Sequence, residues 1–246
     1  GGMTPACAEA AAELYRTFVR GDCLTTTART AEMAKLTENA FRDVNIAFAN
    51  ELSIIAERLD INVWELIALA NRHPRVNILQ PGPGVGGHCI AVDPWFIVSE
   101  TPELARLIRA AREVNSGKPD WVVEKIKTAV GEFLQANPDK RAGDVTIACF
   151  GLAFKPDIDD LRESPALDIA TRVAAEHPGP LLAVEPNIHT LPDLLSGHGA
   201  RLCSADNALA HADIVVALAA HRSFRALTAA RLHNKAVVDT CGLWTT

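Results

Sequence analysis

The chain has 246 residues, 48% of them apolar, and a formal net charge of −6. That length accommodates one large domain or two ordinary ones, each with a core of its own. The acidic balance, with no basic stripe interleaved with aromatics, argues against a nucleic-acid partner, and no run of about 18 apolar residues suggests a membrane span.

The N-terminus, GGMTPACAEAAAELYRTF, lacks a basic segment followed by an apolar one and does not read as a secretory signal. Opening on Gly-Gly-Met, it reads as the middle of a longer chain. Residues 8–20 predict one helix ending near Gly21. From 28 to 59 there is no Gly or Pro, and Met33, Leu36, Ala40, Val44, Ala47, Phe48, Leu52 and Ile55 recur at three- and four-residue spacing. That pattern predicts a long amphipathic helix with a broad buried face. Residues 62–71, 101–116 and 119–135 predict three more, with Pro119 suited to the first turn of the last.

The composition changes at ANPDKRAGD, a plausible linker or domain entry. Strand-like VTIACFG (145–151) then leads to a polar loop and a helix from Ser164-Pro165, where Ser caps and Pro occupies the first turn. LLAVEP (181–186), a short RLCS strand, a helix at 205–210, DIVVALAA (213–220), a helix at 223–232 and KAVVDTCG (235–242) complete the chain. Short apolar strands alternating with helices predict an α/β fold with a parallel, doubly wound sheet. The divisions expected are an entry helix at 1–27, a helical domain at 28–138 and a Rossmann-like domain at 139–246.

Within PGPGVGGHCIAVDP (81–94), Gly82, Gly84 and Gly87 satisfy G-x-G-x-x-G. That fingerprint has meaning after a strand and at the start of a helix. Here the surroundings are helical and Pro94 follows closely, so no helix N-terminus is expected to hold a pyrophosphate. The glycines instead allow a tight bend and close approach to a ligand. Six cysteines, at 7, 23, 89, 149, 203 and 241, show no metal-ligand spacing and suit reduced cytosolic thiols. Cys7, Cys149 and Cys203 read as buried small hydrophobes. Cys89, in a Gly-rich turn, is either that or a nucleophile, and spacing alone leaves both open.

Three segments in order, AEMAKLTENAFRDVNIAFANE, NRHPRVNILQPGPGVGGHCIAVDPWF and FGLAFKPDIDDLRESPA, resemble the UDP-glucose/GDP-mannose dehydrogenase family, the UDP-sugar 6-dehydrogenases. The likeness covers essentially the whole chain. The GGHC loop and the HPR segment resemble the branch acting on UDP-N-acetylmannosamine, with the UDP-glucose and UDP-N-acetylglucosamine enzymes, or a non-catalytic dimerisation and UDP-sugar-binding module, as the alternatives. The resemblance implies an NAD-binding Rossmann domain preceding this chain, a central helical domain that forms a homodimer, and a Rossmann-like domain for the UDP-sugar. A cytoplasmic enzyme of surface-polysaccharide synthesis is implied with it.

Carried over by position, Cys89 resembles the family's nucleophile, Lys35 and Asn39 its active-site lysine and asparagine, and Asp93 its catalytic aspartate. His73, Arg75, Gly86, Phe154 and Lys155 resemble substrate-binding positions, His73 and Arg75 reaching across the dimer. Arg162 resembles an arginine directed at the cofactor's phosphates. The chemistry suits these types: a thiolate traps an aldehyde and forms a readily hydrolysed thioester, cationic and amide donors stabilise an oxyanion, and a carboxylate activates water. Lys35 and Asn39, four apart, share one helix face, although on pattern alone such a pair is most often a solvated surface. Cys241 stands where related enzymes carry Arg or Lys and is left unassigned.

Overall fold

A computed structural model describes residues 1–227 and 229–244. Helix α1, Pro5–Arg16, starts three residues before the expected 8–20 because Thr4 caps it, accepting the Cys7 N–H. Cys7 is exposed rather than buried. Helix α2, Ala28–Arg58, matches the long Gly- and Pro-free run and is capped by Thr27. Asn62 caps α3, Val63–Ala70, accepting from Trp64 and Glu65 N–H groups.

Two expectations in the helical half fail. Helix α4, Asp93–Glu100, follows the glycine loop directly, with Pro94 in its first turn. Proline there removes an N–H that has no helical partner, so Pro94 starts this helix instead of preventing one. The helices expected at 101–116 and 119–135 form one continuous α5, Arg106–Ala136, with Pro119 inside it. Burial on both sides of the proline, by Arg112 and Asn115 before it and by Val122, Val123 and Ile126 after it, holds the rod together despite the lost backbone bond.

The face α2 buries is only in part the expected apolar one, with Ala40 and Ala47 inside as expected. Asn39, Asp43 and Asn50 lie inside, while Met33, Phe48 and Ile55 are exposed. Asp43 and Asn50 find their partners on α5. Arg112 donates to Asp43 Oδ1 at 2.6 Å, and the Asn115 amide donates to the same oxygen at 2.8 Å. Asn50 Nδ2 donates to Asn115 Oδ1 at 2.9 Å, and Asn50 Oδ1 accepts the Gly82 N–H at 2.9 Å. This chain of bonds ties the glycine loop to the two long helices.

The second half begins at β1, Ile147–Phe150, followed by α6, Pro165–Glu176, which Ser164 caps. Then come β2, Leu181–Val184, the short helix α7, Asp193–Ser196, and β3, Arg201–Leu202. Helix α8, Ala205–His211, leads to β4, Ile214–Ala217. The expected helix at 223–232 is two short ones, α9, Arg222–Arg225, and α10, Ala229–Leu232, with residue 228 outside the described residues. Strand β5, Ala236–Asp239, closes the sheet.

All pairs are parallel and the order is β3-β2-β1-β4-β5. The sheet is covered on both faces, so β1, β2 and β4 are buried at every residue. Successive β1 residues alternate between two cores. Ile147 and Cys149 pack with Val122, Val123 and Ile126 of α5 and Ile169 and Val173 of α6. Ala148 and Phe150 pack on the other side with Leu209 and Phe224. Each such Val, Ile or Phe stabilises the fold by about 1.5–3 kcal/mol. Helix α5 thus serves both halves, presenting Arg112 and Asn115 to α2 and Val122–Ile126 to the sheet. The strand order reverses between β1 and β4, the position where ligands bind doubly wound sheets at the carboxyl edge.

Candidate active site

The loop leaving β1 crosses to the helical half. It is fixed at its start by Ser164, whose hydroxyl donates to the Leu152 carbonyl at 2.6 Å while capping α6. The glycine loop meets it from the other side. A Cβ on Gly86 would lie 2.8 Å from Phe154 Cβ and 2.5 Å from the Glu163 carbonyl, and Gly87 has φ +84 with a virtual Cβ 2.9 Å from the Phe154 ring. The glycines are therefore required for backbone-to-ring packing between the two halves.

Between these loops and α2 lies a cleft of about 570 Å³. Lys35, Asn39, Gly86, Cys89, Phe154 and Lys155 line it, gathering six positions expected from sequence. Arg42 lines it too, one helical turn past Asn39. The repeat of the helix was the available signal for Arg42 and was not followed. Cys89 is exposed.

Asp93 joins the group through Asn39. The Asn39 amide nitrogen donates to Asp93 Oδ2 at 2.6 Å, and its carbonyl oxygen accepts from Lys35 Nζ at 3.3 Å. Lysine and carboxylate thereby fix which end of the amide faces which. Lys35 also pairs with Glu38 at 3.4 Å. Asp93 follows Cys89 by one turn, its N–H donating to the Cys89 carbonyl at 2.8 Å. Cys89 and Asp93 are thereby joined by a backbone bond at the head of α4.

Other expected positions stand apart. His73 and Arg75 are exposed on the turn after α3, where the Arg75 N–H donates to His73 Nδ1 at 3.2 Å, and neither lines the cleft. Arg162 is held by Asp160, donating from Nε at 2.9 Å and from NH2 at 2.7 Å. That fork keeps the Asp160 carboxyl well below the usual carboxylate range. A phosphate is thus not needed to explain the charge of Arg162. Cys149 is inert by burial, which pushes its thiol up to about 12, and burial also raises Cys241.

The glycine loop does not fit a dinucleotide phosphate site. The glycines press on Phe154 and Pro165, and the helix beginning beside the loop carries Asp93 in its first turn, where a pyrophosphate would be repelled.

Comparison with known proteins shows the family. Residues 29–117 match the central domain of the UDP-glucose/GDP-mannose dehydrogenase family, and residues 148–246 match its UDP binding domain. The chain belongs to this family. A UDP-N-acetyl-D-mannosamine dehydrogenase of Salmonella typhi is 63% identical over 244 residues, 99% of this chain and 58% of that relative. An NDP-N-acetyl-D-galactosaminuronic acid dehydrogenase of Ralstonia nicotianae is 59% identical, with 55% of its length covered. Among solved structures, the UDP-D-ManNAc dehydrogenase of Pyrococcus horikoshii superposes with a TM-score of 0.84 at 34% identity, covering 99% of this chain and 55% of that one. The chain therefore spans little more than half the length of the family members it matches. No described helix is long and apolar enough to cross a membrane.

Proposed function

We propose that this chain is the substrate-binding and nucleophile-bearing part of an NAD-dependent UDP-N-acetyl-D-mannosamine 6-dehydrogenase. The observation that carries the reading is the convergence of Cys89, Lys35, Asn39 and the Phe154–Lys155 loop on one cleft. The overall reaction oxidises the sugar's primary alcohol to a carboxylate, with both hydrides leaving to NAD held outside the residues described. The part played by this chain is covalent and electrostatic. Cys89 as thiolate adds to the C6 aldehyde to form a thiohemiacetal, and after loss of the second hydride the resulting thioester is hydrolysed. Lys35 and the Asn39 amide stabilise the oxyanion of each tetrahedral adduct. Asp93 takes a proton from the hydrolytic water. Lys155 supplies positive charge for the diphosphate and Phe154 an apolar wall.

A homodimer through α2 accompanies this reading. Phe41, Phe48 and Ile55 repeat at seven-residue spacing and are 67%, 51% and 45% exposed, forming one apolar stripe along the outer side of the helix. A second copy seated there is the route by which His73 and Arg75 would reach a substrate. Sedimentation giving a 26.4 kDa species at micromolar concentration would count against the dimer.

Thermal-shift titration tests the central claim, because a ligand binding only the folded state raises Tm. UDP-N-acetylmannosamine is expected to raise it and NAD alone to leave it unchanged. A larger shift with UDP-N-acetylgalactosamine would move the assignment toward the activity named for the Ralstonia relative. A shift with NAD alone would overturn the reading.

A further inference from the structure

Two buried titratable groups outside the cleft, Glu185 and His221, hold the segment that supplies Phe154 and Lys155. Glu185 follows β2 and is 3% exposed, and His221 lies beyond the end of β4 and is fully buried. One carboxylate oxygen, Oε2, accepts the N–H of Leu152 at 2.8 Å, that of Ala153 at 3.1 Å and the His221 Nε2–H at 2.9 Å. The other, Oε1, accepts the backbone and side-chain N–H groups of Asn187 at 3.1 and 3.0 Å. Burial works to raise the Glu185 carboxyl, but these bonds outweigh it and keep it below its ordinary value, ionised at neutral pH.

His221 carries the contact onward. Its Nδ1 accepts the Asp157 N–H at 2.8 Å, which leaves Nε2 to hold the proton directed at Glu185. Phe224 packs edge-on against the ring at 5.1 Å and fixes its plane. Asp157 itself sits at φ +62, a conformation that is strained outside glycine and persists where surroundings enforce it. Its carboxylate accepts the Arg222 N–H at 3.0 Å and Arg222 Nε at 2.8 Å. The segment is thus fastened at 152–153 by Glu185 and at 157 by His221, with Phe154 and Lys155 in the span between and lining the cleft.

We propose that Glu185 and His221 are positioning residues for UDP-sugar binding, a buried carboxylate–imidazole clamp that sets the backbone presenting Phe154 and Lys155 to the nucleotide diphosphate. This rests on the reading of the cleft as the UDP-sugar site. Neither side chain touches the ligand. The imidazole in its neutral Nε2–H form is part of the clamp, since a proton on Nδ1 would oppose the Asp157 N–H.

The test is UDP affinity by calorimetry in this chain, with amide hydrogen exchange at Leu152, Ala153 and Asp157 and histidine ¹⁵N shifts. His221→Ala and Glu185→Gln are expected to weaken UDP binding at least tenfold and to speed exchange at Asp157 and at Leu152 and Ala153 respectively. Leu195→Ala, in the core and distant in role, serves as a control of lowered Tm with unchanged Kd; His221→Gln, which keeps a donor toward Glu185, is expected to recover part of the affinity. Unchanged affinity in both clamp variants, or equal loss in Leu195→Ala, overturns the proposal, as does a His221 ring whose ¹⁵N shifts place the proton on Nδ1. Failure of the unaltered chain to bind UDP overturns the reading of the cleft itself, an outcome separable because it appears without any substitution.

Discussion

The Asn39 side chain donates to the Asp93 carboxylate at 2.6 Å across 54 positions of sequence, joining α2 to the head of α4. Since the Asp93 N–H is bonded to the Cys89 carbonyl, a single amide couples Lys35 on one element to the cysteine loop on another. The consequence is a pre-set spacing between the Lys35 ammonium and the loop that carries Cys89.

Thiol labelling checks the exposure of Cys89. With a small disulfide reagent, Cys89 and Cys7, both exposed, are expected to react quickly, and Cys149 to stay silent until the chain unfolds. UDP-sugar is expected to protect Cys89 alone. Equal protection of Cys7 and Cys89 would remove the link between ligand and cleft.

Gly87→Ala tests the seam between the halves. Its φ of +84 and the 2.9 Å approach to the Phe154 ring lead to a loss of about 2 kcal/mol or more in urea unfolding. Phe154→Leu in the same chain is expected to return part of the loss by making room. A neutral Gly87→Ala would mean the loop is free to shift.

Lys118 gives the stability a distinctive pH dependence. The residue is 2% exposed, and its ammonium donates to Ser53 Oγ at 2.5 Å and lies 3.7 Å from the centre of the Trp121 ring. Burial lowers its pKa from 10.5 to about 7. Between those values the unfolded chain holds a proton that the folded chain does not, so stability rises as pH increases from 7 toward 10.5 and is flat with respect to this group below 7. Lys118→Met is expected to remove that slope and to raise stability at pH 7 by a few kcal/mol, of the order set by linkage. Denaturant unfolding at pH 7 and pH 9 reads both effects, and an unchanged slope would be the contrary result.

Arg112→Leu is expected to cost about 3–5 kcal/mol, because Asp43 would stay buried without its cation. Burial already raises the Asp43 carboxyl despite Arg112 and Asn115. Adding Asp43→Asn is expected to recover a large part of the loss. If the double variant is no better than the single one, the charge is not the cause.

Much of the architecture was legible because it is written locally. The absence of Gly and Pro over α2, the Ser164-Pro165 start of α6 and the apolar strands of the second half each depend on neighbours within a few positions. They fix helix, cap and strand wherever the segment lies. The cysteine loop and its candidate partners were legible by resemblance. Pro94 and Pro119 were misread because proline's effect depends on where the helix begins and on what is packed around it. A residue's place in a helix is decided by contacts outside it.

Amphipathic periodicity placed Phe48 and Ile55 inside, yet the buried side of α2 carries Asn39, Asp43 and Asn50. Asp43 and Asn50 are held there by bonds from Arg112 and with Asn115 of α5, and no local pattern encodes a partner some 65 or more positions away. The clamp of Glu185 on His221, 36 positions apart, is of the same kind. The sequence by itself determined the alternation of elements and the chemical types available for a site. Tertiary structure decided which of those types meet, because a buried polar group requires a partner in space and the chain supplies it only once folded.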